Sequence, residues 1–196
     1  MIFGEKYYKI LSKLSPWRQS LFALVLAQRQ YANYVLWCEV NDVKGGPKAY
    51  DKTLKSLWDF HSDKFNHIDL EKVLEEFEPY LLDDEKMELS VGDLFSLDAT
   101  LSLSAAVLAI ILHEGEEAEM ASRASLSGVV RKLEQEGDTE LSDEELRNTP
   151  EVDGEVNFQI ELLEILEKSQ RSPELTRKLY EMSLNGGMSN IGLSLE

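Results

Sequence analysis

The stretch from Asp93 to His113, DLFSLDATLSLSAAVLAIILH, decides the fold. A helix that is apolar nearly all round in an otherwise polar chain is ordinarily the buried centre of a helical domain. The run from Leu94 to Leu112 is close to the roughly 20 residues needed to span hydrocarbon. Ser96, Asp98, Thr100, Ser102 and Ser104 argue against a span, because a carboxylate near mid-membrane costs about 2.5 to 3.5 kcal/mol even on a lenient scale. Ser102, Ala105, Ala106 and Ala109 recur three or four apart, a spacing that lets neighbouring helices approach closely. The helix is expected to open with Asp93 as its N-cap and to stop at Gly115.

Helical periodicity continues on both sides of this stretch. Upstream, Tyr7, Ile10, Leu11 and Leu14 mark a short helix over 4–14. Ser15-Pro16 then opens a long one reaching about Val43, with a bend expected over Gln28 to Asn33. The pair Gly45-Gly46 is expected to supply its left-handed C-cap, and Pro47 to start a helix reaching about His61. Asp69 caps Leu70 to Leu82, with a kink or an end at Pro79.

Downstream, a helix over 116–136 carries a small face. Ser142 and Glu145 form a capping box, and Pro150 starts a helix with Val152, Val156, Ile160, Leu163 and Leu166 inward. Ser172-Pro173 starts the last helix, which stops at Gly186-Gly187 ahead of a tail apolar enough to dock. No segment alternates with period two, and no tandem repeat is present. The expected architecture is all-α: a single domain over residues 1–196, with about eight helices bundled around the 93–113 helix.

The formal net charge is −17, and it is uneven. Residues 1–55 sum to +5, residues 56–168 to −22 and the remainder to zero. A surface of this sign repels nucleic-acid phosphates and anionic lipid, which disfavours direct nucleic-acid and membrane binding. It suits either plain solubility or a docking face for a basic protein, including mimicry of nucleic acid. One cysteine, Cys38, leaves no internal disulfide. The apolar run Leu21 to Ala27 reads as an amphipathic helix and not as a signal, so a cytoplasmic location is expected.

Little in the chain points to chemistry. Phosphate loops, dinucleotide fingerprints, nucleophile elbows and zinc spacings are missing, and no cofactor or metal is expected. His113 and Glu117 are four apart, but Gly115 between them breaks the helix that would bring them together, leaving an exposed acidic turn. His61 is expected on a helix face and His67 in a loop. Asp98 is the residue to single out: a carboxylate within an apolar helix must be paired, hydrogen-bonded or protonated. It is either a functional carboxylate or one tied to backbone or to an Arg or Lys of a neighbouring helix. Tyr31, Tyr34, Trp37 and Cys38 form a second cluster, either lining a pocket with a thiol or making an aromatic seam against Trp58 and Phe60.

Several segments together, YANYVLWC at 31–38, LSDEELRNTPEV at 141–152 with Gln159-Ile160-Glu161, and Ser189-Asn190-Ile191-Gly192, resemble the YjaG-like family of bacterial proteins. The resemblance runs from about Leu14 to the C-terminus. It implies a compact all-α bundle in a bacterial cytoplasm and supplies no catalytic residues; where the family has proline inside the second helix, this chain has Ala32. Three functions fit these observations. The first is a non-enzymatic interaction or regulatory protein that binds a protein partner, a basic one being the kind its charge suits. The second is a small-molecule binder or enzyme with a pocket between helices, and the third an acidic mimic directed at a basic nucleic-acid-binding protein. A homodimer is compatible with each.

Overall fold

A computed structural model describes residues 2–63, 67–83 and 87–195. Among them the chain forms ten α-helices: α1 (Glu5–Leu11), α2 (Pro16–Arg29), α3 (Tyr31–Val40), α4 (Gly46–Ser62), α5 (Leu70–Phe77), α6 (Val91–Ile111), α7 (Glu117–Gly137), α8 (Asp143–Arg147), α9 (Pro150–Lys168) and α10 (Pro173–Leu184). No named strand occurs among the described residues; the nearest approach is a lone antiparallel bridge between Met188 and Ser194. The count exceeds the expected eight chiefly because the second helix is two. Gln30 takes φ −96° and ψ 1°, which ends α2 and lets α3 leave in a new direction.

The long helix α6 lies at the centre, packed along α2 on one side and α7 on the other. It opens earlier than the spacing suggested. Ser90 is the N-cap and Asp93 is the N3 partner of a capping box, accepting from the Ser90 backbone N–H at 2.7 Å while its own N–H donates to Ser90 Oγ. The serine sits where a two-oxygen exchange with N3 is possible, so Asp93 serves the helix start from inside it. Around α6 and α2 the other helices close in. α3, α4 and α5 pack on α6, α10 packs on α2 and α4, and α9 packs on α7 and α2.

The core is shared equally by α2. Each residue of Leu21 to Ala27 is fully buried, not one face of the run. Ser102, Ala105, Ala106 and Ala109 of α6 are buried as well, and their small side chains let the helix backbones come close. The inward phase of α9 differs from the expected one: Glu155 and Gln159 are buried whereas Ile160 is exposed. The turn before α4 is also rearranged. α3 ends at Val40, Asp42 and Gly45 take left-handed conformations, and Gly46 is already helical. A Cβ on Gly46 would lie 2.7 Å from Cys38 Sγ and 2.9 Å from the Tyr34 hydroxyl oxygen, so close approach is the reason for glycine there.

Candidate functional site

The two clusters singled out above do not come together. Asp98, on the second turn of α6, is buried and ion-paired with Arg131 of α7. Burial pushes its carboxyl up to about 6, against the Arg131 guanidinium, which lowers it. Gly128 of α7 lets the helices close over this carboxylate: a Cβ there would stand 3.5 Å from Asp98 Oδ2. The geometry ties Asp98 to the neighbouring helix through one arginine.

The aromatic cluster packs against different partners from those expected. Tyr34 stacks on Tyr50 at 4.9 Å between ring centres and meets Phe77 at 5.9 Å, while Trp58 turns instead to Tyr180 and donates to Gln28 Oε1. Every polar tip is committed. Tyr34 donates to the Tyr80 carbonyl at 2.7 Å, Tyr31 to the Pro47 carbonyl at 3.3 Å, and Trp37 Nε1 to Asp93 Oδ1 at 2.9 Å. Burial raises the Cys38 thiol above its ordinary value, which disfavours the thiolate a nucleophile needs. Two of the four reach a cleft: Trp37 borders a small apolar notch of about 170 Å³ with Leu36, Val40 and Phe95, and Tyr31 borders another of about 190 Å³ with Arg29 and Met188.

The histidines are structural in their contacts. His61 lies on the inward face of α4, as expected, and is buried. Ser20 Oγ donates to the Ala106 carbonyl at 2.6 Å and therefore accepts from His61 Nε2 at 2.8 Å. That leaves the hydroxyl without a proton acceptor in the imidazole, and both groups lie out of contact with solvent, so the pair is no nucleophile and base. Burial, followed by the nearby Arg171 charge, lowers the imidazole to about 3. Glu117, expected in an exposed turn, is buried; its carboxylate accepts from the Glu114 and Gly115 backbone N–H groups, both at 2.9 Å. Among the described residues no group of three or more His, Cys, Asp and Glu is placed to hold a metal ion.

The polar centre that the sequence reading missed joins α2, α7, α9 and the C-terminal loop. Arg29 Nη1 donates to Glu155 Oε2 at 2.7 Å, with both side chains buried. Glu155 Oε1 accepts from Ser125 Oγ at 2.6 Å and from Gln159 Nε2 at 2.7 Å. Gln159 Oε1 in turn accepts from Ser122 Oγ and from the Tyr7 hydroxyl. Asn190 donates to the Ser125 carbonyl at 2.9 Å and accepts from Asn33 Nδ2 at 2.9 Å, tying α3 and the loop to the same network. Asn33, Gln159 and Asn190 come from the three separate segments that carry the family resemblance. A signal was present: Glu155 and Gln159 stand at i and i+4 within an otherwise apolar helix face, and Arg29 interrupts the apolar run of α2.

A second feature lies on α6 itself. Its inward face combines small and polar residues, among them Ser96, Asp98, Thr100, Ser102, Ala105 and Ala106, with the fully buried Leu103 and Val107. Its outward face carries Leu94, Leu97, Leu101 and Leu108, all half-buried and outside the hydrophobic core cluster, followed by Leu112 at 54% exposure. These positions follow the three- and four-residue spacing of one helix face. Asp98 is the only charged residue from Leu94 to Leu112, and it points inward. α6 is also the one described helix with the length and apolarity to cross a membrane.

The architecture and these features define an all-α protein whose buried polar groups serve helix packing. Residues 6–194 match the family described as "Protein of unknown function (DUF416)", and the chain belongs to that family. It is 29% identical over 185 residues to the "Uncharacterized protein YjaG" of Escherichia coli, covering 93% of each chain. A Haemophilus influenzae protein is 29% identical over 188 residues, covering 95% of each. The crystal structure of a DUF416 family protein from Shewanella baltica superposes with a TM-score of 0.82 at 29% identity, covering 96% of this chain and 98% of that one.

Proposed function

We propose that this protein acts by binding another protein, with the outward leucine face of α6 as the contact surface. The observation that carries the reading is the leucine row on the outer side of α6. Leu94, Leu97, Leu101 and Leu108 are half-buried outside the core cluster and Leu112 is exposed, in an uncharged stripe roughly 27 Å long, on a chain of net charge −17. Apolar stripes with a charged surround mark interaction surfaces. α5, which packs against α6, presents Glu71 and Glu75 to solvent. The partner that fits is therefore an amphipathic helix with an apolar face and basic flanks, laid into the stripe.

The burial of Tyr34 and Cys38, with the Cys38 thiol raised above its ordinary value, favours this reading over chemistry at those residues. The test is capture from a bacterial lysate at low and high salt, comparing the wild-type protein with Leu97→Lys/Leu101→Lys. A partner held at low salt by the wild type and lost by the double variant is the expected result. Identical capture by both proteins contradicts the proposal, and self-association through the same leucines, read by light scattering, replaces it with a homodimer.

A further inference from the structure

Arg29 is 7% exposed, and among the described residues its guanidinium makes one hydrogen bond, from Nη1 to Glu155. Nε is buried without an acceptor. Nη2 carries no hydrogen bond among the described residues, which leaves it as the nitrogen of this guanidinium open to a ligand oxygen. Its plane is held in place: the guanidinium lies 3.7 Å above the Phe158 ring. A charged guanidinium held in place with an uncommitted nitrogen is suited to a carboxylate ligand.

Arg29 and Phe158 border a cleft of about 380 Å³ between α7, α9 and the C-terminal loop, within the size range of sites for small ligands. Its charged lining is balanced, with Lys132 and Arg29 against Glu151 and Glu155. Both Glu155 oxygens are already engaged, whereas Glu151 is exposed at the rim. The rest of the lining is mixed, with Val129, Leu133 and Ile191 beside Asn185, Ser189 and Asn190. The loop that borders it takes left-handed conformations at Asn185, Gly186, Gly187 and Gly192.

We infer that this cleft binds a small zwitterion with an apolar body, an α-amino acid of the leucine or methionine kind, its carboxylate on Arg29 and its ammonium on Glu151. A dianionic phosphate suits the site less well, because Glu151 and Glu155 would oppose its second charge.

The experiment titrates isotope-labelled protein with L-leucine, L-methionine and L-phenylalanine up to roughly 10 mM, enough to reveal millimolar affinity. The amide resonances of Gly154 and Gly192, which line the cleft, report occupancy. Leucinamide, without the carboxylate, and N-acetyl-leucine, without the ammonium, serve as truncated probes. At least one amino acid is expected to bind saturably, and its two truncated forms at least about tenfold more weakly, as the loss of a charge-assisted contact predicts. Glu151→Gln, at an exposed position that leaves the fold intact, is expected to weaken the amino acid tenfold while leaving the N-acetyl form unchanged. No saturable shift with any of the three amino acids, or equal affinity for either truncated form, overturns the assignment.

Discussion

His61 and Asp98 are buried titratable groups with opposing protonation equilibria. The folded state holds His61 neutral down to about 3, whereas the unfolded chain takes up the proton near 6.5. Its contribution to stability is therefore complete above 6.5 and lost as the pH falls from there toward 3. Asp98 works the other way: its folded value of about 6 exceeds the unfolded 3.8, so its contribution is largest at low pH and is lost as the pH rises through 6. Urea unfolding at pH 7 and pH 5 should show the wild type losing about 2 kcal/mol more than His61→Gln. Asp98→Asn, with its compensating slope removed, should lose stability more steeply on acidification than the wild type.

Arg29 offers a second prediction at this scale. Arg29→Met leaves Glu155 as a buried unpaired charge and should cost about 3 to 5 kcal/mol, whereas adding Glu155→Gln should recover most of that loss in the same urea series. The added glutamine keeps an acceptor for Ser125 and Gln159.

Among the helices, α3 and α4 meet over Gly46. Gly46→Ala puts a methyl group within 3 Å of Cys38 Sγ and the Tyr34 hydroxyl. Both are held in a packed core, so the substitution should destabilise by about 1 to 3 kcal/mol in urea unfolding. The same contacts predict that Cys38 reacts with a thiol reagent only as fast as the protein unfolds.

Which helices exist was legible in the sequence because caps and breakers are local. Ser15-Pro16, Asp69, the Ser142 to Glu145 box, Pro150 and Ser172-Pro173 each start a helix where spacing places one. What faces what was less legible. Helix α6 has apolar side chains nearly all round, so periodicity has no phase from which to choose its inner face, and the small residues were drawn inward by close packing with α2 and α7. The Arg29 network escaped because Arg29 and Glu155 are 126 positions apart, a separation no local pattern encodes. Tyr50 and Phe77 replaced Trp58 and Phe60 in the aromatic seam because the break at Gln30 re-aims α3.

For the molecule as a whole, the charge of −17 implies self-repulsion that folding intensifies. Raising the salt from about 0.01 to 0.15 M shortens the screening length from about 30 to 8 Å and should increase the unfolding free energy, read in urea at constant pH. The proposed contact stripe on α6 interrupts this field with an uncharged surface.

The most direct measurement is the unfolding free energy of Leu97→Gln/Leu101→Gln. If the stripe belongs to a partner and not to the core, the double variant unfolds within about 1 kcal/mol of the wild type, as solvent-facing substitutions do. A loss of about 4 kcal/mol or more, the cost of truncating two core leucines, would mean that these leucines hold the fold together and would contradict the account.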